Sequence, residues 1–261
     1  MQARKKSPYL MRVVEASHLT RNMIRVTLSG EAIREMPAGC EGANCKIFLP
    51  QTGQTEADFI SQLRDGPRPT VRTYTVRHIR PKEAEMDIDF VDHGDAGPAS
   101  AWARAAGPGV FCGFAGPGPV KVQDFYADYY VVAADMSALP VAAATLEAMP
   151  RDAKGIAFFE ITHHDDVQHI NAPVGIEHFW LLHCNTSQPS RQLVDAIKDW
   201  DWPQGRIQTC IAGESTAIKA IRQYLLHERS LPKQDCYISG YWKVGLVEDE
   251  HQMMKRAEAA G

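Results

Sequence analysis

The stretch Arg72-Thr73-Tyr74-Thr75-Val76-Arg77 decides how the first half of this chain is read. β-Branched and aromatic residues favour a strand, and a strand sends alternate side chains to opposite faces. Arg72, Tyr74 and Val76 then share one face, and Thr73, Thr75 and Arg77 the other. The pattern recurs on both sides of it. Residues 23–28 alternate apolar with polar, residues 45–49 follow a glycine-rich turn, and residues 86–91 are again alternating or β-branched. Short strands separated by turn signals predict a small barrel or sandwich. The polar residues 51–70 are expected to form an exposed loop.

After Gly116-Pro117-Gly118-Pro119 the rhythm changes. Residues 129–134 form a continuous apolar strand, and residues 137–149 read as a helix with Leu139, Ala142, Ala143 and Leu146 on one face. Further apolar runs at 156–161, 178–183 and 206–212 alternate with amphipathic segments at 191–200 and 215–228. This alternation predicts βαβ units and a parallel sheet. The boundary is expected near residues 124–128, giving domains at 1–124 and 125–247, with 248–261 as a charged helical tail.

Composition bounds the function. The 261 residues, 44% apolar and 23% charged, suit a globular protein with a sizeable core. A net charge of −4 argues against nucleic acid or an anionic membrane as partner, so any anion site must be local. Cysteines at 40, 45, 112, 184, 210 and 236 make no CxxC pair and no ferredoxin-type iron–sulfur run. The basic N-terminus is followed by too short and too charged an apolar stretch for a secretory signal, and no apolar run approaches the roughly 18 residues of a membrane span. The expectation is a cytoplasmic, reduced, monomeric protein with no bound metal. His163, His164 and His169 match no zinc spacing and read as a solvated loop.

Two segments carry chemistry. Residues 72–77 present a guanidinium, a phenol and a hydroxyl within about two pleats. Such a set suits a flavin dinucleotide, with arginine on pyrophosphate, tyrosine packed on the ring system and threonine at its polar edge; a plain surface strand fits equally well. Residues 89–103, DFVDHGDAGPASAWA, read as a strand, a glycine-containing turn and a helix opening at Pro98. The first-turn N–H groups form an anion site, to which Ser100 adds a hydroxyl and Gly97 close access. The alternative is an ordinary strand–turn–helix with Trp102 in the core.

Here the chain resembles the siderophore-interacting proteins, FAD-dependent ferric-siderophore reductases related to the ferredoxin–NADP reductases. The resemblance rests on RTYTVR at 72–77, DFVDHGDAGPASAWA at 89–103, AGPGP at 115–119, AADMSALP at 133–140 and SGYWKVG at 239–245. It implies a six-stranded antiparallel FAD-binding barrel followed by a parallel-sheet NAD(P)-binding domain, with a ferric siderophore taken up in the cleft between them. Carried over, Arg72, Thr73, Tyr74 and Thr75 would hold the flavin. Asp89, Phe90, Val91, His93, Gly97, Pro98, Ala99 and Ser100 would hold the adenosine and pyrophosphate end.

AADMSALP ends an apolar strand and opens a helix, where a doubly wound sheet places a dinucleotide. Asp135, Ser137 and Ala138 are therefore expected to meet NADH or NADPH. The segment departs from the family's GDETALP at Ala134, Met136 and Ser137. Glu214, in Gly213-Glu214-Ser215, is expected to line the same site. Glu160 ends the next strand, where an acidic side chain accepts bonds from a ribose 2′-hydroxyl and so favours NADH, while His163 and His164 nearby could instead meet a 2′-phosphate; the choice of nicotinamide stays open. Basic residues attract the anionic chelate in the family. The matching candidates are Lys46 and Lys243, with Lys121 standing near Gly118, where the family often carries a third. The implied activity passes electrons from NAD(P)H, or alternatively ferredoxin, through FAD to a ferric siderophore. The rival readings are a flavin reductase of a protein acceptor and a non-catalytic siderophore binder.

Overall fold

The computed structural model describes residues 7–94 and 97–246, so the tail expected at 248–261 lies outside the described residues. The chain divides into two compact units between Val120 and Lys121.

The first unit is built on a closed six-stranded barrel. Its strands are β1 (Tyr9–Thr20), β2 (Met23–Ser29), β3 (Asn44–Leu49), β4 (Thr70–Arg80), β5 (Glu85–Val91) and β6 (Phe111–Ala115), joined in the order β1-β2-β5-β4-β3-β6. Every pairing is antiparallel, and closure leaves no edge strand to template aggregation. Alternate residues point inward, so Val26, Leu28, Ile47, Val76, Ile88 and Phe90 fill the interior.

Two strands escape a pattern search. Only two residues of β1, Met11 and Val13, are buried, and β6 spans only five residues. Residues 51–70 correct the expectation of an exposed loop, because they carry helix α1 (Glu56–Asp65). The Thr55 hydroxyl caps it by accepting the Asp58 N–H at 3.2 Å, and Phe59 is fully buried with its ring 5.5 Å from that of Phe111. One fully buried anchor and a cap suffice here, while the polar majority of the segment is simply the solvent side of the helix. Helix α2 (Pro98–Ala105) completes the unit.

The second unit is a parallel sheet of β7 (Tyr129–Asp135), β8 (Lys154–Ile161), β9 (Gly175–Leu182), β10 (Ile207–Glu214) and β11 (Cys236–Trp242), ordered β11-β10-β7-β8-β9. Helices α3 (Leu139–Ala148), α4 (Gln192–Asp199) and α5 (Ser215–Gln223) connect and cover it, and α5 widens into a π turn at Tyr224–Glu228. All eight residues of β10 are buried, as in a strand covered on both faces, with Gln208, Thr209 and Glu214 among them. Leu193 and Ile197 of α4 pack with Ile218 and Ile221 of α5 against Val131 and Ile156. The chain moves outward from β7 to β8 and β9, then returns to place β10 on the other side of β7. Strand order therefore reverses between β7 and β10, and the crevice beyond their C-terminal ends is where such sheets bind ligands.

Candidate functional site

On the barrel, register decides which site residues meet. β3 and β4 pair Ile47 with Arg72, Lys46 with Thr73, Cys45 with Tyr74 and Asn44 with Thr75. Cys45 and Ile47 point into the core, so Asn44 and Lys46 share the opposite face of the strands with Thr73 and the buried Thr75. There the Lys46 ammonium donates to the Thr73 hydroxyl. Arg72 is half-buried and donates to the Val71 carbonyl at 2.9 Å. The Tyr74 ring lies 4.2 Å from that of Phe90, which lies 5.6 Å from that of Trp102. Phe90 is fully buried, so whatever it contributes to a ligand passes through Tyr74.

Asp89 is engaged on the chain itself. Arg25, its register partner on β2, grips both carboxylate oxygens at 2.7 and 2.8 Å, and the buried Arg77 stands 3.9 Å away. Beside it Asp87 accepts from Thr27, His78 and Arg80. Burial alone would raise the Asp87 carboxyl, but those hydrogen bonds prevail and hold it well below the usual carboxylate range.

Val91 closes β5, and the turn after it is tied to α2. The Asp92 carboxylate accepts from the Gly94 N–H at 3.1 Å and the Ser100 hydroxyl at 3.2 Å, while Ser100 Oγ accepts the His93 N–H. Gly97 leaves room for the His93 ring, since a Cβ there would lie 2.2 Å from its Cε1 and the ring would have to move. Pro98 begins the helix, and among the described residues no side chain caps its first turn, where the N–H groups of Ala99 and Ser100 face the N-terminal end. That unfilled turn suits a phosphate.

Asn44 is the residue the sequence reading missed. Its Oδ1 is a buried acceptor without a partner among the described residues, opposite Thr75. Gly118 makes room for it: a Cβ there would lie 2.6 Å from that oxygen. The third basic residue that the resemblance implies at 118 is thus replaced by a glycine that leaves room for Asn44. Lys121 is exposed at the start of the second unit.

At the reversal of strand order, Asp135 ends β7, Glu160 ends β8 and Glu214 ends β10, with Asp135 and Glu160 paired in register. Asp135 and Glu214 are both buried; Glu214 caps α5, and Asp135 holds the turn that precedes α3. Asp135 Oδ1 accepts the Ser137 N–H at 2.9 Å, the Ser137 hydroxyl at 2.6 Å and the Ala138 N–H at 3.3 Å. Glu214 Oε2 accepts the Thr216 and Ala217 N–H groups at 2.7 and 3.1 Å. Ser137 and Ala138 thus belong to the turn that Asp135 holds. Glu160 differs: its Oε2 is buried without a partner among the described residues. Burial raises its carboxyl against the pull of a Ser190 hydrogen bond and of His183, and the nearby charges of Asp135 and Glu214 add to the rise. An unfilled acceptor at this strand end fits a ribose hydroxyl donor.

The departures at Ala134 and Met136 are absorbed into packing: Ala134 is fully buried in β7, and Met136 Sδ accepts from the Thr162 hydroxyl at 3.3 Å. His163 caps a short turn, its Nδ1 accepting the Asp165 N–H at 3.1 Å. Lys243 is half-buried just after β11.

Comparison with known proteins agrees with this architecture. Residues 12–121 match the family profile described as siderophore-interacting FAD-binding domain, and residues 127–245 that described as siderophore-interacting protein. The chain is 34% identical over 255 residues to the ferric vibriobactin reductase ViuB of Vibrio cholerae, covering 94% of this chain and 92% of that one. Among solved structures, the siderophore-interacting protein SipS of Aeromonas hydrophila superposes with a TM-score of 0.84 at 28% identity, over 98% of this chain and 99% of that one. A siderophore utilization protein from T. fusca gives 0.78 at 36% identity, over 91% and 93%.

Proposed function

We propose, for a chain that belongs to the siderophore-interacting protein family, that it reduces a ferric siderophore with electrons drawn from NAD(P)H through FAD. The observation that carries this reading is the fall of the family's two profiles on the two compact units, the FAD-binding one on the barrel and the other on the parallel sheet. The full-length likeness to a ferric vibriobactin reductase supports the substrate class.

FAD, when bound, supplies the conversion of a two-electron donor into single-electron transfers. The chain supplies binding and field. Arg72 offers a guanidinium to pyrophosphate, and the first turn of α2 offers N–H groups to the same charge. Tyr74, backed by Phe90, offers a flat apolar wall to a ring system. Thr75 and Asn44 offer a hydroxyl and an unfilled acceptor to a polar ring edge. On the sheet, Glu160 accepts ribose hydroxyls and disfavours a 2′-phosphate, since Asp135 and Glu214 already charge the surroundings. NADH is therefore the preferred nicotinamide. Lys46 and Lys243 attract an anionic chelate. The iron arrives wrapped in its chelator and needs no protein ligand. The same reading has the protein acting as a cytoplasmic monomer, with reduced ferredoxin as an alternative donor. Its six free cysteines suit a reducing compartment.

The test is anaerobic. Purified protein should show flavin absorbance, bleach on adding NADH, and then yield Fe(II), trapped by a ferrous chelator, from a ferric tris-catecholate. Flavin-loaded protein that reduces no ferric chelate with NADH, NADPH or reduced ferredoxin would overturn the reading. A flavin reduced only to pass electrons to a protein would favour the protein-acceptor reading.

A further inference from the structure

Lys243 has both chain neighbours tied to carboxylates at the ends of other strands. The Trp242 indole N–H donates to Asp135 Oδ2 at 2.7 Å, and the Val244 N–H donates to Glu214 Oε1 at 3.3 Å. The first bond spans a whole strand, because β10 lies between β11 and β7.

Two features of the backbone permit it. Gly213 on β10 has φ +152, and a Cβ there would lie 2.7 Å from Asp135 Oδ2, so glycine keeps the path open. The pairing of β10 with β11 also slips: Gly213 faces Gly240, but Glu214 faces Trp242. The extra residue, Tyr241, re-aims the chain beyond it, as a bulge does.

The two carboxylates divide their oxygens in the same way. Asp135 gives Oδ1 to the turn that opens α3 and Oδ2 to Trp242. Glu214 gives Oε2 to the first turn of α5, while Oε1 accepts the Thr216 hydroxyl and Val244. Asp135 is held by the turn before α3 and Glu214 by the first turn of α5, and each fixes a residue flanking Lys243. Fixing the residues before and after a lysine fixes where its side chain starts.

We infer that Asp135 and Glu214 are positioning residues that clamp the Trp242–Val244 segment and thereby aim Lys243, setting the preference for an anionic ferric chelate over a neutral one. The inference rests on Lys243 being a chelate-binding cation, as proposed above.

Trp242→Phe keeps a ring and removes the donor. The readout is the ratio of kcat/KM for a trianionic ferric tris-catecholate to that for a neutral ferric trihydroxamate. In Trp242→Phe this ratio is expected to fall about fivefold, since a lost hydrogen bond to a charged group is felt on that scale. Lys243→Ala should lower it at least as far, and the double variant should match Lys243→Ala alone, because no lysine remains to be aimed. An unchanged ratio in Trp242→Phe, or additive losses in the double variant, overturns the clamp. An unchanged ratio in Lys243→Ala overturns it too, by removing its object, while wild-type reductase activity would show the wider reading intact. The bond has its own readout. Asp135→Asn keeps an oxygen for Ser137 but turns an amide N–H₂ toward the indole, so the Trp242 indole N–H resonance should move upfield; no movement contradicts the geometry.

Discussion

Arg25 and Asp89 meet as register partners on adjacent antiparallel strands, whereas Asp135 and Trp242 meet across an intervening strand at the end of a parallel sheet. The barrel satisfies its buried charges laterally, along the flanks of β2, β4 and β5, and the ion pairs there are part of the wall. At the strand ends of the sheet, Asp135 and Glu214 each divide their oxygens between the turn or helix that follows and a distant segment, while Glu160 keeps one oxygen unfilled. Damage to the barrel pairs should therefore appear first as lost stability, and damage to the strand ends as altered selectivity.

The sharpest way to break that contrast is Phe90→Ala. Phe90 is fully buried beneath Tyr74, so its loss should cost about 4 kcal/mol by chemical denaturation and release FAD as a consequence of a loosened wall. Flavin loss without destabilisation would make Phe90 a ligand contact instead of a support.

Asp87→Asn should cost about 3 kcal/mol at neutral pH, because the charge-assisted bonds that the buried carboxylate takes from Arg80 and His78 would be weakened or lost. It also carries a pH signature. Hydrogen bonds hold the folded carboxyl below its unfolded value, so its contribution is present above about pH 4 and is lost as pH falls further toward the folded value. Acid-unfolding curves of wild type should steepen below that pH, and the variant should lack this component.

Gly213→Val tests the strand ends. The new Cβ would crowd Asp135 in a backbone conformation that side chains resist, and a loss of about 2 kcal/mol is expected. A well-folded variant with unchanged chelate preference would argue that the indole bond has no functional reach.

The smallest effect concerns the nicotinamide. Wild type should favour NADH, and Glu160→Ala should lower the ratio of kcat/KM for NADH to that for NADPH about tenfold, close to 1.4 kcal/mol. Titration with 2′-phospho-AMP and AMP, followed by calorimetry, measures the same preference without turnover; equal affinities in wild type would remove Glu160 from that role.

Much of this was legible in the chain. Period-two alternation around Tyr74 and the apolar runs ending at Asp135, Glu160 and Glu214 announce a barrel followed by a parallel sheet. Local pattern suffices there because each strand or helix declares its own buried face. Helix α1 was not legible, since its one fully buried residue, Phe59, with the partly buried Ile60 and Leu63, is outnumbered by polar neighbours. β1 was hidden by its polar outer face and β6 by its brevity. Asn44 gave no signal, because its significance depends on Thr75 opposite and on the bare backbone of Gly118.

Residue type and spacing determined by themselves that Asp89, Asp135, Glu160 and Glu214 stand at or near strand ends. Only the tertiary structure decided which of their oxygens are already used. Arg25 lies 64 residues from Asp89, and Trp242 lies 107 residues from Asp135. Such partners are set by barrel closure and strand order, which depend on contacts that no local window contains.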